Sequence, residues 1–272
     1  MRIAIQGIAG SFHDWAVRKF FGENHSVVAC RYFSDLPVCL KEGKADKAVM
    51  AIENSLAGSI LPNYLLLDEN NLQIEGEIYL PVQHSLMTLP GTKLMQINEV
   101  LSHSMALHQC KLFFKAHSHL KRVEFEDTAG AAKYISEKKL KNTAAIAPAI
   151  AARLYGLEII AENIQDHPTN TTRFVVLRTP SEPEFDGNDK ISLKVNLDHR
   201  SGSLYDFLGI IAHAGLNMTK IQSVPIGDKP FEYAFFIDMA YEYPDQISKA
   251  LKQMKEHANR VKILGVYKNG QL

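Results

Sequence analysis

Thr179-Pro180-Ser181-Glu182-Pro183-Glu184-Phe185-Asp186-Gly187-Asn188-Asp189 divides the chain. Two prolines and a glycine interrupt any helix or ladder, and the polar residues around them have no face to bury, so residues 179–189 read as a linker. On its two sides the hydrophobic pattern differs. Upstream, short β-branched runs at residues 2–6, 26–33, 47–52, 99–101, 122–125, 144–147 and 174–177 alternate with helical patterns. That alternation predicts an α/β domain with a mostly parallel sheet. Downstream, the predicted order is strand (191–197), helix (204–213), strand (217–224), strand (231–239), helix (245–258) and strand (261–267), the split βαβ or ferredoxin-like arrangement. Leu204, Phe207, Leu208 and Ile211 recur at helical spacing with Gly215 just beyond, and Ile247, Leu251 and Met254 repeat the pattern.

With 272 residues, 46% of them hydrophobic and 22% charged, the chain can bury two ordinary cores. Thirty basic residues balance thirty acidic ones, so no general field draws the protein to nucleic acid or an anionic membrane. Any anionic ligand is then held by local donors. Cys30, Cys39 and Cys110 form no CxxC pair, and the apolar start is interrupted at Gln6 and Gly7 before a signal-peptide core can form. The expectation is a cytoplasmic protein with reduced thiols. His103, His108, His117 and His119 offer no convincing ligand frame, and no metal is predicted. Trp15, Phe20 and Phe21 read as the buried face of the first helix.

In open parallel sheets, ligands bind beyond the carboxyl ends of strands, where helix N-termini present free N–H groups. Gly7-Ile8-Ala9-Gly10-Ser11-Phe12, Glu53-Asn54-Ser55-Leu56-Ala57-Gly58-Ser59, Ser102-His103-Ser104 and Asp127-Thr128-Ala129-Gly130 each follow a predicted strand. The first is no dinucleotide fingerprint, because the third glycine is missing. Asn170-Thr171-Thr172-Arg173-Phe174 instead precedes a strand. In regular strand, Thr172 and Arg173 face opposite sides of the sheet, so both reach one cleft only if the backbone there is irregular.

These motifs, in this order, resemble the prephenate dehydratase family: Gly7-x-x-Gly10-Ser11-Phe12, Ile52-Glu53-Asn54-Ser55-x-x-Gly58-Ser59, Ser102-His103-x-x-x-Leu107-x-Gln109-Cys110, Thr128-Ala129-x-Ala131-Ala132 and Asn170-x-Thr172-Arg173-Phe174. Gly202-Ser203-Leu204 and Gly215-Leu216-Asn217-Met218-Thr219-Lys220-Ile221-Gln222-Ser223-Val224-Pro225 resemble an ACT domain. The resemblance implies a two-lobed α/β catalytic domain over residues 1–178, similar to type II periplasmic binding proteins. Its first lobe spans about 1–77 and 164–178, and its second about 78–163. A ferredoxin-like (βαββαβ) ACT domain over 190–272 follows the linker.

The implied activity is cofactor-free conversion of prephenate to phenylpyruvate, carbon dioxide and hydroxide. Thr172 is then the donor to the departing oxygen. Arg173, Glu53, Asn54, Ser55, Ser102, Gln109, Asn170, Phe174 and Thr128 become the substrate-binding set, with Arg173 on the pyruvyl carboxylate and Glu53 orienting its neighbours. The implied effector is phenylalanine, bound by Gly202, Ser203, Leu204, Asn217, Met218, Gln222 and Ser223 in a homodimer or homotetramer. Here the family's usual Gly-Ala-Leu is Gly202-Ser203-Leu204, and its usual Glu-Ser-Arg-Pro is Gln222-Ser223-Val224-Pro225. A carboxylate and a guanidinium are therefore both replaced. Two other readings are an arogenate dehydratase and a non-catalytic sensor of small carboxylates.

Overall fold

The structure, a computed structural model, describes residues 1–226 and 229–270. In chain order its elements are β1 (Arg2–Gln6), α1 (Phe12–Phe21), β2 (Ser26–Cys30), α2 (Asp35–Lys41), β3 (Lys47–Asn54), β4 (Gly58–Ser59), α3 (Leu61–Glu69), β5 (Gln73–Pro81), β6 (Ser85–Thr88), β7 (Glu99–Ser102), α4 (Ser104–His108), α5 (Lys111–Ala116), β8 (Lys121–Glu124), α6 (Thr128–Lys138), β9 (Thr143–Ala147), α7 (Ala149–Tyr155), β10 (Glu158–Ala161) and β11 (Thr171–Arg178). There follow β12 (Lys190–Asn196), α8 (Ser203–His213), β13 (Asn217–Ile226), β14 (Lys229–Ala240), α9 (Pro244–Glu256) and β15 (Arg260–Tyr267). The chain forms two compact units, Met1–Ile60 with Ile78–Phe174, and Leu61–Glu77 with Val175–Leu272.

The first unit holds two sheets. One runs β2-β1-β3-β11, with β1 parallel to β2 and β3 and the short β4 folded back on β3. Ile3, Ala4 and Ile5 of β1 and Ala48, Val49 and Met50 of β3 are buried on both faces, as parallel strands covered by helices must be. The other runs β10-β6-β9-β7-β8. Leu107 and Phe114 pack with one of its cores, and the small Ala131, Ala132, Ala151 and Ala152 let α6 and α7 approach the other closely. The chain leaves the first sheet, builds the second and returns in β11, which makes two lobes. Phe20, expected in the buried face of α1, is 41% exposed and packs edge-on against Phe21.

The second unit follows the order expected of it. Its antiparallel β13-β14-β12-β15 sheet carries α8 and α9, so the βαββαβ topology is ferredoxin-like. Phe207, Ile211, Ile247, Leu251 and Met254 supply the core facing the strands, as their spacing predicts.

Two boundaries differ from the expectation. Residues 61–77 belong to this unit rather than to the first lobe, and residues 175–178 accompany them. Asp68 of α3 accepts from Lys194 and, at 2.8 Å, from Lys262. Glu77 of β5 takes the buried Lys190 ammonium on both oxygens, at 2.8 and 3.0 Å. Gly265 of β15 lies opposite Ile74, where a Cβ would sit 2.3 Å from the Ile74 carbonyl oxygen. The linker is likewise docked within this unit: Ser181 pairs with Gln73, and Phe185 packs on the core.

Lys190 and Glu77 are 1% and 4% exposed, so removing one leaves a buried charge behind. Lys190→Met is expected to cost about 3–5 kcal/mol in urea unfolding, and Lys190→Met with Glu77→Met to recover most of it. A single variant as stable as wild type contradicts a buried, charged pair.

Candidate active site

A cavity of about 340 Å³ in the first unit is lined from both lobes, largely by residues near the ends of strands and helices. Gly7, Ser11, Phe12 and His13 come from the β1–α1 turn, Ala51 and Asn54 from β3, and Thr172 and Phe174 from β11. Across from them stand Val82, His84, His103, Met105, Gln109, Glu126, Asp127 and Thr128.

The β1–α1 turn is shaped by one buried carboxylate. Asp14 accepts from the Gly10 N–H at 2.7 Å and from Arg18 Nε at 3.2 Å, while Ser11 caps α1 by accepting from the Asp14 N–H. Gly7 and Gly10 sit at φ +93° and +85°, a region that strains other residues. Tyr155 closes the turn from the second lobe by donating to the Ala9 carbonyl at 2.5 Å.

Thr172 is held by Asn54. The Asn54 amide nitrogen donates to Thr172 Oγ1 at 3.0 Å and Asn170 Oδ1 at 2.7 Å, and the Asn54 oxygen accepts from the Leu56 and Ala57 N–H groups at 3.0 Å each. With both ends engaged, the amide cannot turn over. Thr172 thus accepts a hydrogen bond, and among the described residues its own proton goes to no protein acceptor. Accepting one bond polarises the hydroxyl and makes it a stronger donor in the next.

β11 is continuous strand from Thr171, so its side chains alternate between the two faces of the sheet. Thr172 and Phe174 line the cavity and Arg173 between them does not. Its side chain is 4% exposed, with Nη1 3.7 Å from Glu53 Oε2. The irregular backbone that would turn Thr172 and Arg173 into one cleft is absent, and regular strand sets Arg173 on the opposite face from Thr172.

Of the expected residues, Thr172, Asn54, Gln109, Phe174 and Thr128 come together in the cavity, while Arg173, Glu53, Ser55, Ser102 and Asn170 do not line it. Ser102 donates to the Ile146 carbonyl at 2.6 Å and is wholly buried. Ser55 and Thr171 pair through the Thr171 N–H to Ser55 Oγ and the Ser55 N–H to the Thr171 carbonyl. Asn170 orients Asn54. These three build the site from behind.

His13 and His84 are cavity residues that motif spacing does not mark. His84 is 2% exposed, its Nε2 is 2.9 Å from Gln109 Oε1, and its Nδ1 is sealed without a partner. An unmatched buried lone pair costs less than an unmatched N–H, so the proton belongs on Nε2 and is donated to the Gln109 oxygen. The Gln109 NH2 is thereby left for the cleft. His13 Nε2 accepts from the Ala51 N–H at 3.3 Å, and its ring packs edge-on against Phe174 at 5.0 Å. Burial lowers both imidazole pKa values, that of His13 to about 4, so both stay neutral near pH 7. Among the described lining residues there is no lysine or arginine. The cleft offers an anion neutral donors and the start of α1, while at the start of α6 the Asp127 carboxylate already accepts from the Gly130 N–H and Glu126 stands beside it.

A family model described as prephenate dehydratase matches residues 3–182. The chain belongs to the prephenate dehydratase family. It is 38% identical over 284 residues to arogenate dehydratase 1 of Petunia hybrida, covering 98% of this chain but 66% of that relative. A solved structure titled as a prephenate dehydratase in complex with L-Phe, from Arthrobacter aurescens, superposes with a TM-score of 0.86 at 28% identity, covering 99% of this chain and 90% of that one. Another, titled GqqA, a novel type of quorum quenching acylases, reaches 0.88 at 32% identity, covering 100% and 99%.

The prephenate dehydratase match stops short of the ferredoxin-like strands, where the expected effector residues lie. Gly202, at φ +85°, precedes α8 and Ser203 begins it. Asn217, Met218, Gln222 and Ser223 are on β13, and Leu204 and Met218 pack against the core. Gln222 Nε2 donates to the Ser223 carbonyl at 2.9 Å. Of these residues only Ser203 lines a cavity of about 90 Å³ beside Arg200 and Tyr233.

His13 also sets a pH dependence. With a folded pKa of about 4 against about 6.5 unfolded, the unfolded chain takes up the proton first. Its contribution, about 3 kcal/mol, is therefore complete above pH 6.5 and lost as pH falls from there to about 4. Urea midpoints across that range should fall less steeply in His13→Gln than in wild type.

Proposed function

We propose that this chain is a prephenate dehydratase, converting prephenate to phenylpyruvate with Thr172 as the donor to the leaving group. The observation that carries the reading is the Asn54 amide on Thr172 Oγ1, which leaves the hydroxyl proton free in the cleft. In the reaction the bond between the ring and its carboxylate breaks and releases carbon dioxide. The freed electron pair completes the aromatic ring and expels the C4 oxygen as hydroxide.

A threonine hydroxyl is too weak an acid to protonate that oxygen early. Its hydrogen bond strengthens as negative charge builds there, which stabilises the transition state more than the bound substrate. The lack of a cation among the described cleft-lining residues fits the ring carboxylate, because a clamp would favour the charge it must lose. Gln109 and the start of α1 can hold the pyruvyl carboxylate instead. Arg173 serves behind the cleft, beside Glu53.

A specific feature supports arogenate as the alternative substrate. Glu126 and Asp127 line the cleft, and arogenate has an ammonium where prephenate has a keto oxygen. The Petunia relative carries the arogenate name. An acylase reading rests on the GqqA likeness, but His13 and His84 each have Nε2 engaged away from a hydroxyl, which leaves no activated nucleophile of that kind among the described cleft residues. A sensor reading would require binding without turnover.

Regulation by phenylalanine through the ferredoxin-like unit, acting as an ACT domain in a homodimer or homotetramer, belongs to the same proposal. It is supported by the L-Phe complex of the Arthrobacter relative. A cytoplasmic setting accords with three free cysteines and with the absence, among the described residues, of a helix long and apolar enough to cross a membrane.

Purified protein should form phenylpyruvate from prephenate, with kcat/KM for arogenate measured alongside. Thr172→Ala should lower kcat about a hundredfold to ten-thousandfold with little change in KM. Wild-type turnover in that variant removes the donor role. Asn54→Ala should lower kcat in the same direction by freeing the threonine to turn, and an unchanged kcat there would dispose of the amide's part in it.

A further inference from the structure

We propose that His13 is a substrate-binding residue whose Nδ1–H donates a hydrogen bond to a carboxylate oxygen of the bound substrate. The inference rests on the dehydratase reading and names a contact that the motifs do not supply. The tautomer is set by the backbone. The N–H of Ala51 donates to His13 Nε2 at 3.3 Å, so in the neutral ring the proton must sit on Nδ1.

That N–H has only the cleft to meet. His13 is 8% exposed and lines the cavity. Among the described residues its Nδ1 has no protein acceptor and is not one of the sealed side-chain atoms. Its ring is fixed by edge-on packing against Phe174 and tilted packing against Phe33, which leaves little freedom to turn away. A donor held this rigidly, nine-tenths buried, would be costly to keep without an acceptor arriving from the cleft.

A carboxylate is the strongest acceptor such a ligand carries. The burial that lowers the imidazole pKa keeps the group a neutral donor through the physiological range. It can orient an anion without adding a full positive charge beside carboxylate charge that the reaction must discharge. Phe174, two residues along the same strand face, places His13 on the side of the cleft that holds Thr172.

Two replacements separate the ring's two nitrogens. Glutamine places an oxygen near the Nε2 position and keeps the acceptor for Ala51 without a donor at Nδ1. Asparagine places an amide N–H near Nδ1 and abandons Ala51. With prephenate and arogenate as substrates, His13→Gln is expected to raise KM about tenfold or more with kcat within about threefold of wild type, and to keep the wild-type urea midpoint at pH 7.5. His13→Asn is expected to keep KM within about threefold while lowering the midpoint.

A His13→Gln enzyme with wild-type KM overturns the assignment, and so does a rise in KM in both variants that follows their loss of stability. Failure of the wild-type protein to turn over either substrate refutes the dehydratase reading, and this contact with it. Wild-type turnover with an unaffected glutamine variant refutes the contact alone.

Discussion

Everything specific about the cleft depends on one primary amide. Asn54 ends β3, and its two faces reach in different directions: the oxygen gathers the Leu56 and Ala57 N–H groups of the turn beyond it, and the nitrogen reaches Asn170 and Thr172 at the start of β11. These bonds join residues 116 to 118 positions apart in sequence. They also set the hydrogen-bond polarity of Thr172, because a hydroxyl that receives from an amide must give elsewhere. Ser55, Asn170 and the Thr171 backbone complete the arrangement through hydrogen bonds of their own. Much of the motif is therefore joined to itself by hydrogen bonds around Thr172.

On the other side of the cleft Gln109 repeats this plan of a neutral group with fixed polarity, beside the carboxylates of Glu126 and Asp127. Gln109 is turned by His84, as Thr172 is turned by Asn54, and each presents a donor to the cavity. Phe12, packed edge-on against His84 at 5.5 Å, and Phe174 against His13 place apolar rings beside these donors. Low dielectric strengthens a neutral hydrogen bond without the desolvation cost of a buried ion. A cleft so built suits an anion that must lose charge during its reaction.

Much of the architecture is legible in the sequence because it is local. The runs around Ile3-Ala4-Ile5 and Val49-Met50-Ala51 are strands on hydrophobicity alone, and the helical spacing of Leu204, Phe207 and Ile211 marks α8 with its buried face. The short β6 and β10 are not legible, since four residues such as Ser85-Leu86-Met87-Thr88 carry too little pattern. Residues 61–77 carry no local mark of their true neighbours, because what holds them, Lys194, Lys262 and Lys190, lies more than a hundred residues away. Strand alternation sets Arg173 opposite Thr172, and the structure obeys it. Nothing near His13 in sequence distinguishes it from an ordinary helix residue. Its partner Ala51 is 38 positions distant.

The early membership of residues 61–77 in the second unit bears on how the protein is made. Asp68 and Glu77 leave the ribosome long before Lys190, Lys194 and Lys262, so one part-buried and one buried acid meet their partners only after the whole second lobe is synthesised. The native contacts of residues 61–77 within the second unit therefore need residues as late as β15 to be complete. Any fragment cut at the linker would inherit the same orphaned acids, and the two halves of this polypeptide are better regarded as interleaved than as beads on a string.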